Sequence, residues 1–152
     1  MTTILTGILF VSMCLASTAA LSYSLESGKH EFITGDIVKY NKPIYNGGAA
    51  GVAAYNPLTG VFTTPATGGT YLISVTLMSG FKSAHLTVRK GPAPPGTKGL
   101  ILGWLFTDKT FNIASLSIDY ALADGDTIWV EITTGTELFD VYNTFSVAKI
   151  AA

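Results

Sequence analysis

Three carboxylates, Asp119, Asp124 and Asp126, lie close together in the sequence, and two of them flank Gly125. Oxygen ligands of this kind suit a hard cation such as Ca²⁺. The same residues also make an Asp-Gly turn whose carboxylates accept hydrogen bonds from local backbone, and that is the preferred reading. No other cofactor is expected. The sequence holds two histidines, His30 and His85. His30-Glu31 lacks a second histidine four residues on, which excludes the zinc-protease helix. No Gly-x-Ser-x-Gly elbow is present, and the glycine-rich stretch 46–51 lacks the Lys-Ser or Lys-Thr pair of a phosphate-cradling loop. Without a nucleophile and base, a metal cluster or a poised carboxylate pair, the sequence predicts no enzyme.

The remaining chemistry is aromatic. Phe139 and Tyr142 follow a polar turn at 133–137, where partial exposure would let them stack on a sugar ring; packing within a closing strand is the preferred reading of both. Trp104, Phe106, Tyr120 and Trp129 fall inside strand patterns and read as core or as subunit contacts.

The elements that position these residues are extended. Asn56 and Pro57 begin a turn that Gly60 closes, and a Pro-Gly corner at 65–69 then leads into the best strand of the chain, where Tyr71, Ile73, Val75 and Leu77 share one face. Ala84, Leu86 and Val88 alternate inward against outward His85, Thr87 and Arg89. Residues 100–106 form a continuous apolar run expected to be one buried strand. Ala114, Leu116, Ile118, Tyr120 and Leu122 again take one face, followed by Ile128, Val130 and Ile132 and by a last strand at 142–150. A first strand is expected at 21–26, a polar link at 27–31 and a short strand at 36–40. Residues 91–99 carry three prolines and three glycines and are predicted to protrude as a surface loop. The class is all-β, and pattern alone leaves lectin-like, immunoglobulin-like and jelly-roll sandwiches open. Ile118 and Val75 are expected on inward faces of central strands, with Ile118 the more sensitive to truncation.

Residues 1–20 read as a secretory signal peptide, an apolar run followed by small residues suited to cleavage after Ala19 or Ala20. A single domain, 21–152, follows. Cys14 is the only cysteine, so the mature chain is expected to lack a disulfide and to rely on core and assembly for stability. No membrane span is expected in the mature form. A net charge of −1 supplies no basic field for nucleic acid. A chain that is 48% hydrophobic and only 12% charged has more apolar surface than a solvated monomer needs, which points to burial between subunits.

Three blocks carry a family resemblance. The turn, Gly60-x-Phe62, Pro-Gly corner and Gly69-x-Tyr71 strand come first, then Asp124-Gly125-Asp126 leading into Trp129, then Tyr142-Asn143-Thr144-Phe145-Ser146. Together they resemble the globular head of complement C1q, the jelly-roll domain related to tumour necrosis factor. Ile73 stands where an aromatic is common, and Val147 where a glycine usually follows Phe-Ser. The resemblance implies an antiparallel jelly-roll β-sandwich of about ten strands that closes as a homotrimer. It also implies a stalkless, secreted, extracellular recognition protein binding glycans or microbial surface patterns in innate immunity. A structural or signalling ligand for a protein receptor or matrix is the alternative.

Overall fold

In a computed structural model, the described residues are 20–26, 29–47, 54–91, 99–108, 111–134, 136–139 and 142–152. Residues 1–19, with Cys14, on which the signal-peptide expectation falls, and the 92–98 part of the expected surface loop lie outside them.

Every named element is a strand: β1 (Ala20–Ser24), β2 (Lys29–Phe32), β3 (Lys42–Asn46), β4 (Tyr55–Asn56), β5 (Val61–Thr63), β6 (Gly69–Met78), β7 (Ala84–Gly91), β8 (Leu100–Thr107), β9 (Ile113–Leu122), β10 (Thr127–Thr134), β11 (Thr136–Phe139) and β12 (Thr144–Ala151). They form two five-stranded sheets, in the orders β3-β1-β12-β6-β9 and β4-β5-β10-β7-β8, with a two-stranded sheet of β11 and β2. Each recorded pairing is antiparallel. Two sheets face each other because each has one apolar face to hide. Tyr71, Ile73, Val75 and Leu77 of β6 meet Ala84, Leu86 and Val88 of β7 and Ile128, Val130 and Ile132 of β10 in one core, as the alternation predicts.

Aromatics fill one end of that core. Phe145 is 1% exposed, with its ring 5.8 Å from that of Tyr40 and 5.5 Å from that of Tyr55. The Tyr55 hydroxyl accepts the Tyr40 N–H at 3.0 Å. Burial pushes both phenols well above their usual range, so both stay neutral in the folded protein.

Gly60 closes the turn after Asn56 with φ +75°; a side chain there would also meet the Val38 carbonyl at 2.6 Å. The turn therefore packs directly on residues 37–38. Those residues continue the second sheet past the end of β5, since Val38 donates to the Val130 carbonyl and Ile132 to that of Asp36, each at 2.9 Å. The expected strand at 36–40 is thus realised as a short pairing with β10. Trp129 points to the outer face, where it is 1% exposed beneath the main chain of Gly91 and Gly99.

Three expectations are corrected. The link at 27–31 holds most of β2 and the turn at 133–137 the first half of β11, and the two strands pair with each other; Leu138, 0% exposed, explains the pairing by its burial. The run at 100–106 is strand β8, but it is an edge strand whose Leu100, Trp104 and Phe106 are exposed, because the second sheet ends there. Ile118 lies on the edge strand of the first sheet and is half-buried. Its side chain and that of Leu116 close over Gly103 of β8, where a Cβ would come within 2.6 Å of Leu116 and 3.3 Å of Ile118. This contact joins the two edges along one seam. Val75, 1% exposed between β12 and β9, is the more deeply packed of the two residues. Val75→Ala is therefore expected to lower the unfolding free energy by about 1 to 3 kcal/mol, and Ile118→Ala by less in the isolated chain. Chemical denaturation at low protein concentration checks the order, and a larger midpoint shift for Ile118→Ala would reverse it.

Candidate functional site

Strand register divides the loops between two ends of the sandwich. Ala20 pairs with Ala148 and Thr70 with Ala151, so β1 begins and β12 finishes at one end. The β6 terminus at Met78, the β8 terminus at Thr107 and the starts of β7 and β9 lie at the other.

At that far end three phenylalanines gather. Phe111 sits between Phe81 and Phe139, edge to face with each at ring separations of 5.0 and 5.1 Å. Backbone bonds hold the loops that carry them. Ser79 donates to the Asn112 carbonyl and Phe111 to that of Gly80, both at 3.2 Å, while the buried Glu137 carboxylate accepts the Phe81 N–H at 3.2 Å. Phe111 adopts φ 55°, a left-handed conformation that costs a residue with a β-carbon about 1–2 kcal/mol. Phe81 nevertheless remains 66% exposed and Phe111 39%. An apolar and partly strained surface at a loop end can receive the face of a planar or ring-shaped ligand.

Phe139 is half-buried within this trio, and Tyr142 is 54% exposed beside it in sequence. The structure brings Phe139 to Phe81 and Phe111; among the described residues the Tyr142 ring packs against none of them. Phe81 and Phe111 were not singled out by the sequence, because each stands alone in a loop and only the fold places them together.

The carboxylates stay apart. Asp119 is exposed on β9 opposite Leu72, and Asp124 is exposed in the turn that follows β9, at the end of the sandwich away from the trio. Asp126 is held by local bonds: its Oδ2 lies 2.8 Å from Lys90 Nζ and accepts the Ala123 N–H at 2.8 Å. Among the described residues no three His, Cys, Asp or Glu side chains gather to hold a metal. Burial raises the Asp126 pKa, but the Lys90 ammonium and the Ala123 amide outweigh it and hold the carboxyl below its usual range. A depressed folded value adds stability above the unfolded carboxylate pKa of about 3.9, and that stability disappears as the pH falls through the folded value. Asp126→Asn is therefore expected to be less stable than the parent at pH 7 and to converge with it in strong acid. Denaturation midpoints across pH 2 to about 7 check this, and a constant gap would overturn it.

His85 and the remaining aromatics lie elsewhere. His85 is half-buried, edge-on to Phe106 at 5.8 Å. Trp104 is 60% and Phe106 63% exposed, and with exposed Leu100 and Ile101 they make an apolar strip along the edge strand β8. Tyr120 is half-buried and packs against the core. The outer face of the first sheet beside the strip carries small hydroxyls in cross-strand pairs: Ser22 with Ser146 at 2.7 Å, Ser74 with Ser117 at 3.0 Å and Thr76 with Thr144 at 2.7 Å.

Two antiparallel five-stranded sheets in this order define a jelly-roll sandwich of the C1q and tumour necrosis factor type. Among solved structures, the chain is similar to the globular domain of zebrafish complement 1qA protein, with 18% identity, a TM-score of 0.66, and 87% of this chain and 97% of that one covered. It is also similar to the Eiger TNF of S. frugiperda, with 15% identity and a TM-score of 0.69 over 89% and 94% of the two chains. Murine APRIL follows with 12% identity and a TM-score of 0.61 over 88% and 99%. At these identities the likeness is one of fold. No protein-family model and no curated protein matches the sequence.

Proposed function

We propose that the chain is a secreted, non-enzymatic recognition protein of C1q type, exported by the signal peptide 1–20, assembled as a homotrimer and binding glycans or microbial surface patterns in innate defence. The observation that carries the reading is the cluster of exposed Phe81 and Phe111 with half-buried Phe139 at the end opposite both chain ends of the sandwich. Aromatic faces presented there stack on the apolar faces of sugar rings, with Tyr142 at the margin. Three copies facing one surface gain avidity from individually weak sites.

The second reading is a ligand for a protein receptor or matrix. Its support is the similarity to Eiger TNF, whose TM-score of 0.69 stands beside 0.66 for the complement domain.

A glycan array probed with the secreted protein separates the two. Saturable, sugar-competed binding that is lost in a Phe81→Ser, Phe139→Ser double variant is the expected outcome. Absence of any sugar-competed signal would overturn the glycan reading in favour of the second. Intact-mass analysis of the same material is expected to give a chain beginning at Ala20 or Leu21, and retention of residues 1–19 would remove the export step.

A further inference from the structure

A groove of about 700 Å³ opens between the segment 30–41 and the turn that Gly60 closes. It lies outside the aromatic trio. Its size falls in the range of small-ligand sites, which pair apolar walls with a few convergent polar groups. Phe32 and Leu58 supply apolar wall, and His30, Asp36, Lys39 and Asn41 also line it.

The local bonds fix what those four polar side chains have left to offer. Asn41 Oδ1 accepts the Glu26 N–H at 3.2 Å, which leaves the two N–H groups of its amide. Asp36 Oδ2 accepts the Ile33 N–H at 2.9 Å, which leaves Oδ1 as an acceptor. His30 Nε2 lies 2.8 Å from the Glu26 carbonyl and must donate to it, which leaves Nδ1 as the ring nitrogen open to a ligand. Lys39 is exposed and pairs with no described carboxylate. Donors and acceptors are thus interleaved beside an apolar wall. Vicinal hydroxyls, each able to donate and accept, match such a set, and the C–H face of a pyranose matches the wall. Charge selects further: the Asp36 carboxylate stands with the Lys39 ammonium in the same lining, so the groove offers no net positive field to hold an anionic ligand.

We propose that this groove is a second binding site, for a single neutral pyranose unit. The assignment rests on the glycan reading above. The groove stays open in the proposed trimer, because β4 and β5 form one edge of the second sheet and the apolar β8 strip lies at the other.

The test titrates the secreted protein with the methyl glycosides of glucose, galactose and mannose and with N-acetylglucosamine, following amide resonances by NMR. Saturable shifts at residues 30–41 and 58–61 are expected, with a dissociation constant on the order of 1 mM, as for other ligands of this size. Lys39→Ala should weaken binding about tenfold, and Asp36→Asn likewise. Lys42→Ala, an exposed lysine on β3, should leave the affinity unchanged. Denaturation midpoints of the variants confirm that each is folded. Shifts confined to Phe81, Phe111 and Phe139 would overturn the groove while keeping the glycan reading. No shift with any glycoside, beside an array positive only for anionic glycans, would overturn the neutral-pyranose assignment alone. No shift together with a negative array would overturn both.

Discussion

Phe145→Ala is expected to lower the unfolding free energy by about 3 to 5 kcal/mol, a large part of the roughly 5 to 15 kcal/mol that holds a domain of this size together. The ring is 1% exposed between Tyr40 and Tyr55, and β12 pairs with both β1 and β6, so the neighbours cannot collapse into the space without moving two strands. Among the described residues the buried Tyr40 hydroxyl has no hydrogen-bond partner, and the surrounding core is otherwise mostly apolar, so a water entering the new cavity would find few polar partners. The cavity cost should therefore be felt nearly in full. Urea denaturation of parent and variant at equal concentration measures the loss. A midpoint within error of the parent would show that Phe145 does not join the two sheets.

The parts of this fold that were legible in the sequence are those where one face is buried and the other wet. β6, β7 and β10 announce themselves by period-two alternation, and Tyr71, Ile73, Val75 and Leu77 all lie at 2% exposure or less. Alternation fails at the edges. β8 reads as a continuous apolar run, which means two buried faces in a lone chain but here means one face on the core and one left bare. β2 and β11 are four residues each and carry His30, Glu31 and Glu137, so their pairing is set by tertiary contacts that no local pattern encodes. Trp129 misleads in the other direction, since its burial on the outer face depends on main chain from Gly91 and Gly99 lying over it.

The candidate site was legible only in fragments. Phe139 could be picked out because it follows a polar turn, but Phe81 lies 58 residues and Phe111 28 residues before it, and their meeting depends on the bonds that Ser79 and Gly80 make with Asp108, Phe111 and Asn112. The carboxylates show the converse. Asp124 and Asp126 are neighbours in sequence, yet the turn that makes them so directs Asp126 to Lys90 on β7. Sequence proximity reports a shared turn, whereas a ligand site requires convergence from several elements.

Replacing Trp104 and Phe106 together by serine is expected to convert the proposed homotrimer into monomers. Both side chains are about three-fifths exposed on an edge strand, and they join exposed Leu100 and Ile101 in a strip that a solvated monomer has no reason to keep. The outer face of the first sheet, lined by Ser22, Ser74, Ser117 and Ser146, is flat and low, and it gives bulky rings of a second copy a surface to lie on. Strip and face are different surfaces of one chain, so the contact is heterologous and must close in a ring, here of three copies. Covering roughly 100 Å² more of each ring contributes about 2 to 3 kcal/mol per side chain, or about 5 kcal/mol per interface. Losing that at every interface should raise the dissociation constant by several powers of ten. The chain itself should survive, because neither ring belongs to the core. Light scattering at micromolar concentration is expected to show the mass falling to one third, with the far-ultraviolet spectrum of the monomer unchanged. A variant that keeps the parent's trimeric mass would place the subunit contact elsewhere. A parent that is already monomeric would remove the trimer and, with it, the avidity on which the proposed recognition of a surface depends.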